Sequence, residues 1–284
     1  MTPNQAPSAF GDVNWLYRGA TITADRELTS LPASRLEVPR VSKRYRAAAL
    51  SDGDTRTIVQ IDFGAVRAIR RIAWQRVREP ADIEDVTPGS FIASDIVQHK
   101  LSTTDAHDGD VYDSGDITSD IVNGYGMHDH LVPLDAGAVR QARFAEFQFD
   151  ALSRTIEPFN FVDWGTAYYV DQLELALGMS APFDYLWTDA STVSRSFDGS
   201  GEIINPSASS WRELAIPFRA IAFSERTKIL DYLARTGKRN RFLFIEDAST
   251  NNPRGTMIAR NVTPNLSRTS RARNRMNLQL VESL

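Results

Sequence analysis

The sequence predicts a mainly β protein: an antiparallel β-sandwich (jelly roll) followed by a smaller β-sandwich with one flanking helix. Three observations lead there. Short segments alternate apolar and polar residues, the period of half-buried strands. Turns rich in Gly, Asp and Pro separate them, as at Asp108-Gly109-Asp110 and Val86-Thr87-Pro88-Gly89-Ser90. One segment near the C-terminus has helical spacing instead. A length of 284 residues suits one large or two medium domains.

Residues 1–9 read as a flexible arm, since Met1-Thr2-Pro3-Asn4-Gln5-Ala6-Pro7 lacks the basic and apolar regions of a signal peptide. Residues 10–178 form the first predicted domain. Within it Val59, Ile61 and Phe63 alternate with Gln60 and Asp62. Asp62-Phe63-Gly64 then breaks the pattern as a turn, and a second apolar strand runs on to Trp74. Ala145, Phe147, Phe149 and Ala151 alternate with Glu146, Gln148 and Asp150, which predicts one buried and one wet face. Asp171, Leu173, Leu175 and Leu177 repeat the alternation, and Gly178-Met179-Ser180-Ala181-Pro182 marks a hinge.

Residues 183–284 form the second predicted domain. Leu214, Ile216, Phe218 and Ala220 alternate, and Pro217 predicts an edge or a bulge. Ser224 reads as an N-cap for a helix near 224–237, with Ile229, Leu230 and Leu233 as its apolar face and Gly237 as its stop. Arg241–Asp247 is a strand apolar on both faces. Met276, Leu278 and Leu280 lie on one face of a last strand. No internal repeat or low-complexity tract is read.

Composition is that of an ordinary soluble chain, 42% apolar and 24% charged, with no apolar run long enough for a bilayer and no membrane insertion expected. Cysteine is absent, which removes disulfides, thiolate metal sites and cysteine nucleophiles. The formal net charge of −4 is uneven. Residues 1–180 hold 17 Lys and Arg against 26 Asp and Glu, and residues 181–284 hold 15 against 10. An acidic and a basic half suit electrostatic docking between neighbours.

The four histidines, His99, His107, His128 and His130, share an acidic stretch. His128-Asp129-His130 offers two imidazoles and a carboxylate to a metal. The stronger reading is that His99, on a strand face with Val97 and Leu101, is packed, and that the aspartates are turn residues; no metal and no cofactor are expected. No catalytic motif is present: there is no Gly-x-Ser-x-Gly elbow, and Phe197-Asp198-Gly199-Ser200-Gly201 lacks the Lys and helix of a phosphate loop and reads as a hairpin turn. Sugar binding needs an aromatic platform with polar groups at one end of a sandwich. Tyr45, Arg76, Arg78 and Trp164 are its candidates, although tryptophan is more often core. Arg268, Arg271, Arg273 and Arg275 form a basic run without interleaved aromatics, which favours a subunit interface over nucleic acid.

Several segments resemble the discoidin-like (galactose-binding-like) sandwich, in the version carried by tailed bacteriophages. They are the Asp62-Phe63-Gly64 turn between strands, Gly19–Ala24 as a first strand, Val111–Gly115, Tyr168–Gly178 as a closing strand, and Tyr45-Arg46 where such domains commonly show Trp-Arg. Ser194–Gly199, Trp211–Leu214, the predicted helix and Arg241–Asp247 resemble the C-terminal, distal-tail or tail-tube-like part of the same phage proteins. The resemblance implies a structural, non-enzymatic virion protein of a siphovirus-like tail, made in the bacterial cytoplasm. It would form part of the tail end or baseplate as a three- or six-fold ring with neighbouring tail proteins, and display the discoidin-like domain outside. The alternative is a carbohydrate-binding adhesion module that recognises host surface polysaccharide. A glycan-active enzyme is the least favoured reading, because residues 181–284 are too few and too β-structural for a separate catalytic domain.

Overall fold

Strand-forming residues dominate the computed structural model, which describes residues 8–38, 45–47, 55–76, 96–117, 131–150, 163–174, 184–189, 192–195, 201–204, 210–236, 240–246, 256–261, 265–268 and 273–282. The first half contains β1 (Ala9–Asn14), β2 (Thr21–Ala24), β3 (Tyr45–Arg46), β4 (Arg56–Arg76), β5 (Ile96–Ser102), β6 (Tyr112–Asp113), β7 (Leu131–Asp150) and β8 (Asp163–Glu174). The second contains β9 (Asp184–Asp189), β10 (Thr192–Arg195), β11 (Gly201–Ile204), β12 (Ser210–Ala222), the helix α1 (Phe223–Thr236), β13 (Phe242–Ile245), β14 (Thr256–Asn261), β15 (Asn265–Arg268) and β16 (Arg273–Glu282). Among the described residues the fold is therefore antiparallel β with one α-helix, as the sequence predicts. Fourteen strands join one hydrogen-bonded sheet, and β10 and β11 pair separately as a hairpin.

The strand pair β4–β7 shapes the first half. β4 is a single strand of 21 residues, not two strands joined by a turn. The turn chemistry at Asp62 is still present: its Oδ1 accepts from the Gly64 N–H at 2.7 Å, and Gly64 has φ +71°. It produces a bulge, because the register passes from Asp62↔Phe144 directly to Arg67↔Ala142. A matching bulge on β7 lies between Ile69↔Arg140 and Arg71↔Asp135, with Gly137 at φ +75°.

These two bulges reveal an internal repeat that the sequence reading missed. Asp62-Phe63-Gly64-Ala65-Val66-Arg67-Ala68-Ile69-Arg70 and Asp135-Ala136-Gly137-Ala138-Val139-Arg140-Gln141-Ala142-Arg143 share the form D-x-G-A-V-R-x-x-R. The copies pair antiparallel about a local two-fold axis through Ala68↔Gln141. The symmetry extends along both arms: Val59↔Phe147 matches Val132↔Trp74, and Ile61↔Ala145 matches Leu134↔Ile72. Trp74 and Phe147 are thus equivalent positions, and their rings stack at 3.9 Å with 13° between planes. The bulges turn both strands through a corner, so that the two arms face each other as the layers of a sandwich. One layer is β2, β4, β7, β5 and β6; the other continues β7 and β4 into β8. Val59, Ile61, Phe63 and Phe149 from the first layer and Ile72, Trp164 and Tyr169 from the second fill the core between.

The outer face of β7, expected to be wet, is largely covered. Glu146, Gln148 and Asp150 are buried because β7 is flanked by strands on both sides. Glu146 accepts from Gln60 Nε2 at 2.9 Å, pairs with Lys100 and also meets the Gln148 amide. Asp150 accepts from the Thr55 hydroxyl at 2.6 Å. Glu146 and Asp150 are satisfied by neighbours across the sheet, and Gln148 donates to Glu146 of its own strand.

β1 joins the halves. Ala9, assigned above to the flexible arm, is fully buried and pairs with Glu174 on one side and Ile245 on the other. Residues 1–7 and the predicted hinge at 178–182 lie outside the described residues. Asn14 extends the pairing with its side chain, donating to the Ala167 carbonyl at 2.8 Å and accepting from the Tyr169 N–H at 3.1 Å. Gly11 is needed between the flanking strands, because a Cβ there would stand 2.8 Å from Val170 Cγ2 and 2.9 Å from Leu243 Cβ.

Beyond β13 the sheet runs β14–β16–β12–β9 and curls until Phe10 of β1 lies 6.1 Å from Phe218 of β12. Phe242 and Phe244 face this second core, and Leu243 and Ile245 pack on the opposite face against Val170 and Tyr168. β13 is therefore apolar on both sides, as expected. Pro217 lies past the last β12 residue paired with β9, and a bulge follows between Phe218 and Ile221. The helix begins at Phe223, one residue before the predicted cap. Its buried face is Ile229, Tyr232 and Thr236, with Leu233 partly covered. Leu230, expected on that face, is 40% exposed, because the i, i+3, i+7 row excludes it. Asn240 closes the C-terminal end through the Arg235 and Thr236 carbonyls.

Gly11→Ala is expected to cost ~1–3 kcal/mol from overpacking. Gly64→Ala and Gly137→Ala, where a Cβ meets nothing within 4 Å, are expected to cost ~1–2 kcal/mol each through backbone conformation alone, and Asn at either position recovers part of that loss. Urea denaturation of the variants measures these losses, and a Gly11→Ala protein as stable as wild type would contradict the close approach.

Candidate functional site

Three of the four residues expected at a sugar platform fall on one row of the sheet. Tyr45 of β3 is registered with Trp164 of β8, which is registered with Arg76 of β4. Two of them are not platform residues. Tyr45 is fully buried, donates its hydroxyl to the Arg26 carbonyl at 2.6 Å, and has its phenol pKa raised by burial. Trp164 is also fully buried, edge-on to Phe147 at 4.9 Å and to Trp74 at 5.4 Å. The facing layer consumes both rings, so neither presents a face to a ligand. Arg76 is placed by its main chain only, and Arg78 lies outside the described residues.

His128 and His130 also lie outside the described residues. His99 is packed, as its strand face predicted: it is fully buried beside Phe147, at 5.1 Å between rings. Neither ring nitrogen has a hydrogen-bond partner among the described residues, and burial holds its pKa down at about 3. Among the described residues no group of three or more His, Asp or Glu side chains is arranged to hold a metal. The aspartates are turn residues: Asp108 accepts from the Asp110 N–H, and Asp113 from the Gly115 N–H. Of the C-terminal arginines, Arg268 and Arg275 share the β15–β16 pairing, with Arg275 exposed, and Arg273 is registered with Ala222 of β12; Arg271 lies outside the described residues.

A polar constellation that the sequence reading did not select is built at the first bulge. Arg143 of β7 grips Asp62 of β4 bidentately, Nε to Oδ1 at 3.0 Å and Nη2 to Oδ2 at 2.9 Å. The guanidinium carbon lies 4.9 Å from the Phe144 ring centroid. The connection from β5 to β6 reaches the same ring: His107 stands edge-on to Phe144 at 5.3 Å. Its Nδ1 hydrogen-bonds the Asp105 carbonyl at 2.6 Å. At φ +53°, His107 is the one non-glycine residue in the left-handed region among the described residues, a conformation that turns and functional loops retain. The loop is pinned from below. Asp110 accepts from the Thr103 N–H at 2.8 Å and from the Thr103 hydroxyl, and the Gly109 N–H donates to Ser102 Oγ at 2.8 Å.

The electrostatics follow from these bonds. The Arg143 hydrogen bonds hold the Asp62 carboxyl below its ordinary pKa against the opposing effect of desolvation, helped by the Gly64 N–H. Asp62 in turn raises Arg143. Asp62 is therefore a standing acceptor rather than a proton donor, and Arg143 a standing cation. Both remain accessible, at 32% and 44% side-chain exposure. A fixed acceptor beside a fixed planar donor, next to an aromatic edge, suits paired hydroxyls. The D-x-G-A-V-R-x-x-R repeat was the sequence signal that marks this place.

No protein-family model matches the chain, and no curated protein matches it. Solved structures overlap part of it. The lectin domain of lectinolysin complexed with Lewis B antigen is similar at TM-score 0.39 and 10% identity, over 56% of this chain and 96% of that one. A Streptococcus pneumoniae fucose binding module reaches 0.38 and 10%, over 56% and 95%. The family 32 CBM from C. perfringens NanJ in complex with galactose reaches 0.39 and 13%, over 57% and 99%. The fold assignment rests on the strand registers above.

Buried His99 ties stability to pH. The unfolded imidazole, near 6.5, takes a proton that the folded one refuses until about 3. Its contribution is complete above the unfolded value and is lost as pH falls through that window. Wild type is expected to lose about 2 kcal/mol between pH ~7 and ~5 through this residue, and His99→Phe to lack that part of the slope. Urea melts at both pH values check it.

Proposed function

We propose that the protein is a non-catalytic carbohydrate-binding component whose sandwich half meets glycan at the Asp62–Arg143–His107 surface. The single observation that carries this reading is the exposed bidentate Asp62–Arg143 pair beside the pinned, strained His107 loop. It offers a standing acceptor, Asp62, and a standing donor, Arg143, at one exposed place. Host surface polysaccharide is the expected ligand class.

A second reading concerns the other half. In it, residues 183–284 build a ring-like oligomer at the end of a phage-type tail, through Arg268, Arg271, Arg273 and Arg275, with the sandwich outside. Two observations support it: Arg275 is exposed on β16, and β9, the last strand on its side of the sheet among the described residues, carries Leu186 at 58% exposure. Edge strands that natural proteins leave open are commonly covered in assemblies.

For the first reading, Arg143→Ala is expected to weaken binding to an immobilised glycan panel about tenfold or more, the loss that goes with one charged hydrogen-bonding group, while circular dichroism stays unchanged. No saturable binding across the panel would sink it. For the second, light scattering is expected to find a three- or six-fold oligomer that Arg273→Glu with Arg275→Glu disperses; a wild-type chain that stays monomeric and never enters particles counts against it.

A further inference from the structure

We infer that the glycan taken by this surface is a linear anionic chain that spans the whole β4–β7 corner from Arg143 to Arg70. The inference rests on the carbohydrate reading and deepens it.

The local two-fold axis makes Arg70 the mate of Arg143. Each stands at the last position of the repeat, and each pairs with an accessible carboxylate, Arg143 with Asp62 at 2.9 Å and Arg70 with Glu174 at 3.2 Å. The preceding arginines are mates as well, and both lie over aromatic rings from flanking segments: Arg67 over Trp15 at 4.8 Å and Arg140 over Tyr112 at 5.6 Å. Val66 and Val139, at 56% and 46% exposure, cap the two bulges alike. One corner of the sheet therefore carries an arginine–carboxylate pair at each end.

Charge points to the class of ligand. The corner sets four arginines, Arg67, Arg70, Arg140 and Arg143, against three carboxylates, Asp62 and Asp135 of the repeat and Glu174 beside Arg70, within residues 1–180 where 26 carboxylates outnumber 17 cations. A cation-rich corner on an acidic half steers and holds an anion. Spacing points to a chain. Three registered pairs, Arg67↔Ala142 to Ile69↔Arg140, separate the bulges. At ~3.3 Å per residue along a strand and ~4.8 Å between strands, the two arginines stand roughly 10–15 Å apart, the length of a few sugar units. A short fragment reaches one arginine and a longer one reaches both, which converts the second contact into an intramolecular one.

Calorimetry with digalacturonate, hexagalacturonate and neutral chitohexaose tests this on the full chain. The hexagalacturonate is expected to bind wild type about tenfold tighter than the digalacturonate, and more weakly as salt is raised. Arg70→Gln should erase the gain with length, and Arg143→Gln should weaken binding of both fragments. Equal affinity for the two lengths, an Arg70→Gln protein with the full gain, or chitohexaose bound as tightly as hexagalacturonate overturns the inference while the carbohydrate reading stands. Absence of binding to these and to every member of the glycan panel removes both.

Discussion

The stack of Trp74 on Phe147 is the interaction on which the rest of the structure depends. The two rings occupy equivalent positions on strands that run antiparallel, and they meet only because twin bulges turn both strands through the same corner. Without the bulges β4 and β7 would continue as one flat ribbon, and the apolar faces of both arms would stay in water. With them, the ribbon becomes both layers of a sandwich and buries its own face. The glycines make this possible at little cost, since each bulge needs a left-handed residue that a side chain would resist.

Everything attached to the corner inherits its geometry. β8 extends one layer, β1 lies against β8, and the second half is hung on β1 through β13. The closeness of Val170 and Leu243 over Gly11 fixes how sharply the sheet bends there. Asp12 adds a tie from β1 to the helix, accepting both hydrogen bonds from the Arg235 guanidinium. The second core then closes over Phe10, whose ring contacts aromatics from β12, β13 and α1. A single six-residue strand thus belongs to both halves.

Function, in this reading, uses the outside of the same corner. The bulges leave their Gly-Ala-Val tips and Arg143 exposed, and Arg67, Arg70 and Arg140 half-buried, because the inward positions of the repeat, Phe63 and Ile69 in one copy and Ala136 and Ala142 in the other, are anchored in buried surroundings. Rigid anchoring beneath exposed charges limits the ordering cost that a ligand must meet. The surface needs no separate scaffold, since the device that builds the sandwich also displays the polar groups.

The sequence by itself determined the local elements. Alternation marked the inward faces of β7, β12 and β16, the double apolar pattern marked β13, and helical spacing marked α1 to within a residue of its start. These patterns are set within a few residues, so they survive without knowledge of the partner strand. Tertiary structure alone decided which faces are covered. Tyr45 and Trp164 were found on one row, but only the opposing layer shows that their rings are consumed by the core. β1 was read partly as an arm because Ala9, Gly11 and Asp12 give little apolar signal; its burial comes from two flanking strands distant in the chain. The repeat was written in the sequence, yet its meaning depended on register: only when the two copies pair about Ala68 and Gln141 does a short motif become a two-fold corner, because pairing partners are chosen by long-range packing and not by local composition.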